Sequence, residues 1–171
     1  MIQLLIVDDE PSVLSALRRA LRHHFAHEMG IETCADPALA LTLVRDRKFD
    51  IVISDLRMPE IDGLAFLSLV STLSPNSVRM VLTGSADFET AQRAINQTGV
   101  FRYLTKPWSD AELRSHFVAA IDHCRRLRAA APAETLDAQT AERLRLEAME
   151  PGITAVEWGP AGEVLMPPLK T

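Results

Sequence analysis

Five times within residues 1–128, a short apolar run stops at a polar residue and gives way to a helical stripe, a pattern that confines this stretch to an α/β fold. The first run, residues 2–7, ends at Asp8-Asp9-Glu10; Pro11 then suits a first helical turn, and Leu14, Leu17 and Leu21 recur on one face. Residues 31–35 form the second run, followed by the N-cap and first-turn pair Asp36-Pro37 and an apolar face of Ala40, Leu43 and Val44. The third run, 51–54, delivers Asp55 at its end, and a helix is predicted over 64–73. The fourth, 78–82, stops at Thr83-Gly84-Ser85, and a helix over 87–97 is closed by Gly99. The fifth, 101–104, leads to Lys106-Pro107; Ser109-x-x-Glu112 is a capping box, and Leu113, Phe117, Ala120 and Cys124 line the buried face of the helix that follows. Arg125, Arg126 and Arg128 end that helix, where their charges complement its dipole.

Continuous apolar runs, without strict alternation, indicate strands covered on both faces. Right-handed strand–helix–strand connections then build a five-stranded, doubly wound parallel sheet, whose ligands sit beyond the carboxyl ends of the strands. The unusual polar residues all fall at those ends: Asp8, Asp9 and Glu10 after the first strand, Asp55 at the third, Thr83 at the fourth and Lys106 after the fifth. Converging carboxylates repel one another unless a cation neutralises them, and an all-oxygen donor set suits Mg²⁺ or Mn²⁺. A carboxylate beside such a metal can attack a phosphoryl group, with a hydroxyl and an ammonium stabilising the transferred oxygens. Taken singly, Asp8 and Asp9 could equally cap the first helix, and Asp55 could be a solvated loop acid.

Beyond residue 128 the pattern changes. Residues 129–135, with Pro132, read as a linker; 136–149 as a weakly amphipathic helix carrying Ala141, Leu144 and Ala148; and 153–158 with 163–166 as a short hairpin around Gly159-Pro160-Ala161-Gly162. Trp158 is either the hairpin's apolar anchor or a partner contact. Residues 1–131 hold 15 Lys+Arg against 16 Asp+Glu, whereas 132–171 hold 3 against 7, so the excess acidity of the chain lies in this extension. An acidic appendage argues against DNA binding, which needs cations to neutralise phosphates. No run approaches the ~20 apolar residues of a membrane span, and the start lacks a signal sequence, so a cytoplasmic protein is expected. Cys34 and Cys124 lie apart in apolar segments and read as buried thiols. His23 and His27 have the spacing of a zinc pair on a helix but no acid or thiol to complete it, and read as surface histidines.

Val7-Asp8-Asp9-Glu10, Ser54-Asp55-Leu56-Arg57-Met58-Pro59, Asp62-Gly63, Thr83-Gly84-Ser85-Ala86 and Lys106-Pro107 together resemble the receiver domain of bacterial two-component response regulators. The resemblance runs over about residues 2–128 and implies a flavodoxin-like strand order, 2-1-3-4-5. It further implies that Asp55 accepts phosphate from a histidine kinase or phosphotransfer protein. Asp9 would contact Mg²⁺ directly, Asp8 through water, and the Arg57 carbonyl would complete the protein ligands. Thr83 would swing toward the acyl phosphate, Lys106 would pair with its oxygens, Tyr103 matches the aromatic switch, and the Lys106–Pro107 peptide would be cis. Arg57 and Ser85 would border the path of hydrolytic water and tune the phosphoryl lifetime. The surface of the fourth helix, fifth strand and fifth helix would present the output to a protein partner, with the 136–171 extension a docking or dimerisation element. The enzyme alternative is a haloacid-dehalogenase-type phosphatase, but that family wants Asp-x-Asp after its first strand and a late acidic metal motif. The stretch around Phe101–Trp108 also looks like regulators fused to metal-dependent phosphohydrolases, although no His-Asp pair follows residue 108 to supply that activity here.

Overall fold

In the computed structural model, residues 1–84 and 99–130 are described in full, and residues 157–158 and 164–165 by their backbone. The chain divides into two compact units, Met1–Arg128 and Ala129–Thr171. The first is built from β1 (Ile2–Val7), α1 (Pro11–Phe25), β2 (Met29–Cys34), α2 (Pro37–Asp46), β3 (Ile51–Asp55), α3 (Gly63–Leu73), β4 (Val78–Gly84), β5 (Arg102–Lys106) and α4 (Asp110–Ala130). Of the five helices expected, the one over 87–97 lies outside the described residues, so α4 is the fifth of the sequence reading.

The five strands are all parallel, in the order β2-β1-β3-β4-β5. Because successive side chains leave a strand on opposite faces, each run divides between two cores. Leu4, Ile6, Ile51, Ile53, Met80 and Leu82 pack with α1 and α4, while Leu5, Val7, Val52 and Val81 pack with α2 and α3. Most of these side chains are wholly excluded from water, each worth roughly 1.5–3 kcal/mol in transfer free energy. This two-sided burial is the reason the central runs carry apolar residues on both faces, with Gln3 and Arg79 the partly buried exceptions.

Local signals set the helix starts. Asp36 Oδ1 accepts from the Ala38 and Leu39 N–H groups at 2.8 and 3.2 Å, and Asp62 Oδ1 from Leu64 and Ala65 at 2.9 Å each. At α4 the capping box is reciprocal: Glu112 N–H donates to Ser109 Oγ at 3.2 Å, and Ser109 N–H donates to Glu112 Oε2 at 3.1 Å. The start of α1 differs, since its N-cap is Glu10 with no side-chain cap bond. Asp8 and Asp9 therefore do not serve as helix caps.

Three boundaries depart from expectation. β2 begins at Met29, two residues early, because Met29 and Gly30 pair with Ile2 and Gln3 of β1. α1 ends at Phe25, so His23 and His27 do not share a helical face; both are exposed. α4 runs through Ala129 and Ala130, two good helix formers inside the segment read as linker. The helix expected over 136–149 lies outside the described residues. In the second unit β6 (Glu157–Trp158) pairs antiparallel with β7 (Val164–Leu165), a ladder of two residues per strand.

Both cysteines are free and buried. Burial, reinforced by the Asp50 charge, pushes the Cys124 thiol up to about 12, which keeps it a thiol at neutral pH. No helix among the described residues is long and apolar enough to cross a membrane.

The loop from β3 to α3 holds Glu60 at φ 69°, in the left-handed region that costs a side chain ~1 kcal/mol or more. Asn tolerates this conformation better, so Glu60→Asn is expected to raise stability by ~0.5 kcal/mol. A lower melting temperature for that variant would contradict the strain.

Candidate functional site: an acidic pocket closed by lysine

The parallel sheet brings the carboxyl ends of β1, β3, β4 and β5 to one edge, and Lys106 ties two of them together. Its Nζ lies 2.6 Å from Asp8 Oδ2 and 2.6 Å from Asp55 Oδ1, so the two carboxylates can be no more than twice that distance apart. Glu10 Oε1 is 3.8 Å from the same ammonium. Lys106 is the last residue of β5, paired with Gly84 of β4, which carries its side chain across the sheet end toward β1 and β3.

Each carboxylate has a backbone partner as well. Asp8 Oδ1 accepts the Glu10 N–H at 2.9 Å, and Asp55 Oδ2 accepts the Arg57 N–H at 2.8 Å. The Asp8 side chain is wholly buried, whereas that of Asp55 keeps 10% exposure, which leaves Asp55 the more accessible nucleophile. Beneath Asp55, Ser54 Oγ donates to the Asp55 carbonyl at 3.0 Å, and the start of α3 presses against that same carbonyl. Asp9 is exposed beside Asp8. Thr83 is buried, and its hydroxyl donates to the Gly84 carbonyl at 3.1 Å. Tyr103 is partly buried and packs against the α2–α3 core. The Lys106–Pro107 peptide is cis. Ser85 lies outside the described residues.

Burial raises the Asp8 carboxyl above its ordinary value, although the hydrogen bonds from Lys106 and Glu10 oppose it. Burial works against the Lys106 ammonium too, but its hydrogen bonds to Asp55 and Asp8 prevail and hold it above the usual lysine range. The signs give a testable pH dependence. Because the folded chain holds the Asp8 proton more tightly than the unfolded one, Asp8 stabilises most below 3.8 and less as pH rises through its raised folded value. Lys106 has the same sign in a higher range: its contribution is complete below 10.5 and is lost as pH rises through its folded value. The stability of the native chain relative to Asp8→Asn, measured by urea denaturation from about pH 4 to 7, should therefore decline with pH. A flat or rising difference would refute the burial effect.

The donor chemistry fits a hard cation. Asp8, Asp9, Asp55 and the Arg57 carbonyl offer oxygen alone, as Mg²⁺ or Mn²⁺ prefers. Among the described residues no three His, Cys, Asp or Glu side chains converge into a cage by themselves.

Beside Lys106, an apolar groove of ≈ 430 Å³ runs between Ser12, Val13 and Ala16 of α1 and the Pro107-Trp108 pair. Sequence reading did not single out this groove, nor the roles of Ser54 and Gly63. The one available signal was Asp62-Gly63 at a helix start, at the end of the loop that follows Asp55.

A parallel five-stranded sheet in the order β2-β1-β3-β4-β5, with a lysine-bridged carboxylate pair at the carboxyl ends of β1 and β3, defines a doubly wound α/β domain whose polar site lies at the switch point. Residues 4–118 match the response regulator receiver domain, and the chain belongs to that family. It is 36% identical over 111 residues to the hydrogenase transcriptional regulatory protein HoxA of Bradyrhizobium diazoefficiens, covering 64% of this chain and 22% of that one. It is 33% identical over 134 residues to the transcriptional regulatory protein ZraR of Escherichia coli, covering 78% and 30%. The chain thus spans less than a third of the length of those regulators. Among solved structures, the signal receiver domain of an HD domain-containing protein from Pseudomonas fluorescens aligns with a TM-score of 0.68 and 31% identity, over 75% of this chain and 93% of that one. Membership in this family sets aside the haloacid-dehalogenase reading and identifies a receiver domain of the kind found in response regulators of two-component phosphorelays; a receiver domain is not a classical enzyme.

Proposed function

We propose that Asp55 is the phosphoacceptor of this receiver, and that phosphorylation there switches a protein-binding surface. The observation that carries the reading is the shared ammonium: Lys106 Nζ at 2.6 Å from both Asp8 and Asp55 holds the partly exposed Asp55 carboxylate at the open edge of the sheet. An Asp55 oxygen attacks the phosphorus of a phosphohistidine on a sensor kinase or phosphotransfer protein. The P–N bond breaks, the imidazole leaves with its electron pair, and an acyl phosphate forms. Acetyl phosphate would serve as a small donor, releasing acetate. Asp8, Asp9, Asp55 and the Arg57 carbonyl would hold Mg²⁺ or Mn²⁺, which would supply positive charge to offset that of the phosphoryl oxygens. Lys106, released from part of its carboxylate pairing, follows the new oxygens, and hydrolysis returns Asp55 and inorganic phosphate. Arg57 and Ser85 border the path of that water and tune the lifetime.

The added charge, about −1.5 to −2, is local. Thr83 carries it outward: its hydroxyl now serves the Gly84 carbonyl and turns to the phosphoryl oxygens, vacating space for Tyr103. The output surface comprises residues 87–97, β5 and α4, and it acts on a partner protein in the cytoplasm, not on DNA through this chain. The receiver comprises 1–128, with 129–135 a linker and 136–171 a docking or homodimerisation element. The groove between α1 and Trp108 seats the phosphodonor protein. Incubation with Mg²⁺ and acetyl phosphate tests the reading. One phosphoryl group mapped to Asp55 without turnover of a generic phosphomonoester supports it; modification at another residue overturns it.

A further inference from the structure

Three carboxylates lie against the Lys106 ammonium, and the third has no part in the chemistry described so far. Asp8 and Asp55 each stand 2.6 Å from Nζ, whereas Glu10 Oε1 is 3.8 Å away on a side chain that is 63% exposed. Glu10 is thus the outermost of the three. Its backbone is held from both sides: the N–H donates to Asp8 Oδ1 at 2.9 Å, and the carbonyl accepts the Val13 and Leu14 N–H groups at 3.0 and 3.2 Å as α1 begins. Although Glu10 is the N-cap of α1, its side chain makes no cap bond and lies toward the ammonium instead. Lys106 offsets one carboxylate, and a divalent cation on the oxygen set would offset two more, which accounts for Asp8, Asp9 and Asp55. Glu10 is the acid in excess.

We infer that Glu10 is a specificity-determining residue for phosphoryl transfer: its exposed charge at the mouth of the pocket selects against dianionic acyl phosphates and favours P–N donors of lower negative charge. The inference deepens the proposed function and rests on Asp55 as the phosphoacceptor. An incoming phosphoryl group has to enter the space that Lys106 shares with Asp8 and Asp55, and so passes within the field of Glu10. An exposed charge in salt solution acts weakly, by a factor of about 1.7 per unit of donor charge, or roughly threefold for a dianion. A residue that merely shaped the start of α1 would slow or speed every donor alike. Dependence on donor charge is therefore the signature of the role.

The test labels the full chain, with Mg²⁺, by two small donors in parallel. Acetyl phosphate is a dianion that releases acetate as its P–O bond breaks; phosphoramidate is a monoanion that releases ammonia as its P–N bond breaks. In both, an Asp55 oxygen supplies the electron pair of the new bond. Glu10→Gln should speed labelling by acetyl phosphate about threefold and by phosphoramidate less than about twofold. Glu10→Asp keeps the charge and should keep the native ratio of the two rates. Raising salt from about 0.05 to 0.5 M should bring the native ratio to that of Glu10→Gln, whose own ratio should not move. Sulfate, a dianion with no group to transfer, should shift the Lys106 side-chain NMR signal of Glu10→Gln at about a third of the concentration the native chain needs. The inference is overturned if both donors respond equally to Glu10→Gln, if Glu10→Asp behaves like Glu10→Gln, if salt leaves the native ratio unchanged, or if sulfate binds both chains alike. Labelling of the native chain by neither donor, or at a residue other than Asp55, overturns the phosphoacceptor reading and this inference with it.

Discussion

Asp55→Asn is expected to take phosphoryl uptake from about one group per chain to none detectable, because the amide is neither anionic nor nucleophilic at neutral pH. The substitution keeps the shape of the side chain. Ser54 Oγ still reaches the residue 55 carbonyl, and the side-chain oxygen of Asn can still accept the Arg57 N–H. Lys106 retains Asp8 at 2.6 Å, so the pocket stays neutralised and the fold intact. Loss of uptake would then report chemistry and not unfolding, which circular dichroism on the same sample checks. Stoichiometric uptake by the variant, measured by intact mass after exposure to Mg²⁺ and acetyl phosphate, would remove Asp55 from the role.

Gly63→Ala should be the most damaging substitution of a residue that performs no chemistry. A Cβ at this position would stand 1.9 Å from the Asp55 carbonyl oxygen, 2.8 Å from its carbonyl carbon and 3.0 Å from Leu56 Cα. All three are backbone atoms, so no side chain can rotate away. Gly63 N–H also donates to the Leu56 carbonyl at 2.9 Å, which pins the start of α3 against the end of β3. Relief requires the helix start to withdraw from the strand, at an expected loss of about 3 kcal/mol in urea denaturation. The same movement displaces Asp55, so phosphoryl uptake by the remaining folded chain should slow as well. A variant within ~0.5 kcal/mol of the native chain, with unchanged uptake, would show that the contact is not constraining.

The sheet was legible because burial on both faces leaves a direct trace in composition: β1 and the first three residues of β3 place apolar side chains on both faces of the sheet. The caps Asp36 and Ser109 were equally plain, since they act within three residues of sequence; that of Asp62 was not read, although it caps α3 in the same way. Strand and helix limits were less so. β2 reaches back to Met29-Gly30 only because β1 lies beside it, and β5 extends through Lys106 because β4 continues to Gly84. Ladder hydrogen bonds depend on a neighbour distant in sequence, which local patterning does not contain.

By itself, the sequence determined that this protein alternates strands and helices and which residue types arrive at the strand ends, because periodicity and capping are local physics. Only the tertiary structure decided that Lys106 divides its ammonium between Asp8 and Asp55, that Asp8 is the buried partner and Asp55 the accessible one, and that Gly63 is the point where α3 bears on Asp55. These are relations among residues up to 98 positions apart. Charge pairing, burial and steric contact at that separation exist only once the sheet has assembled.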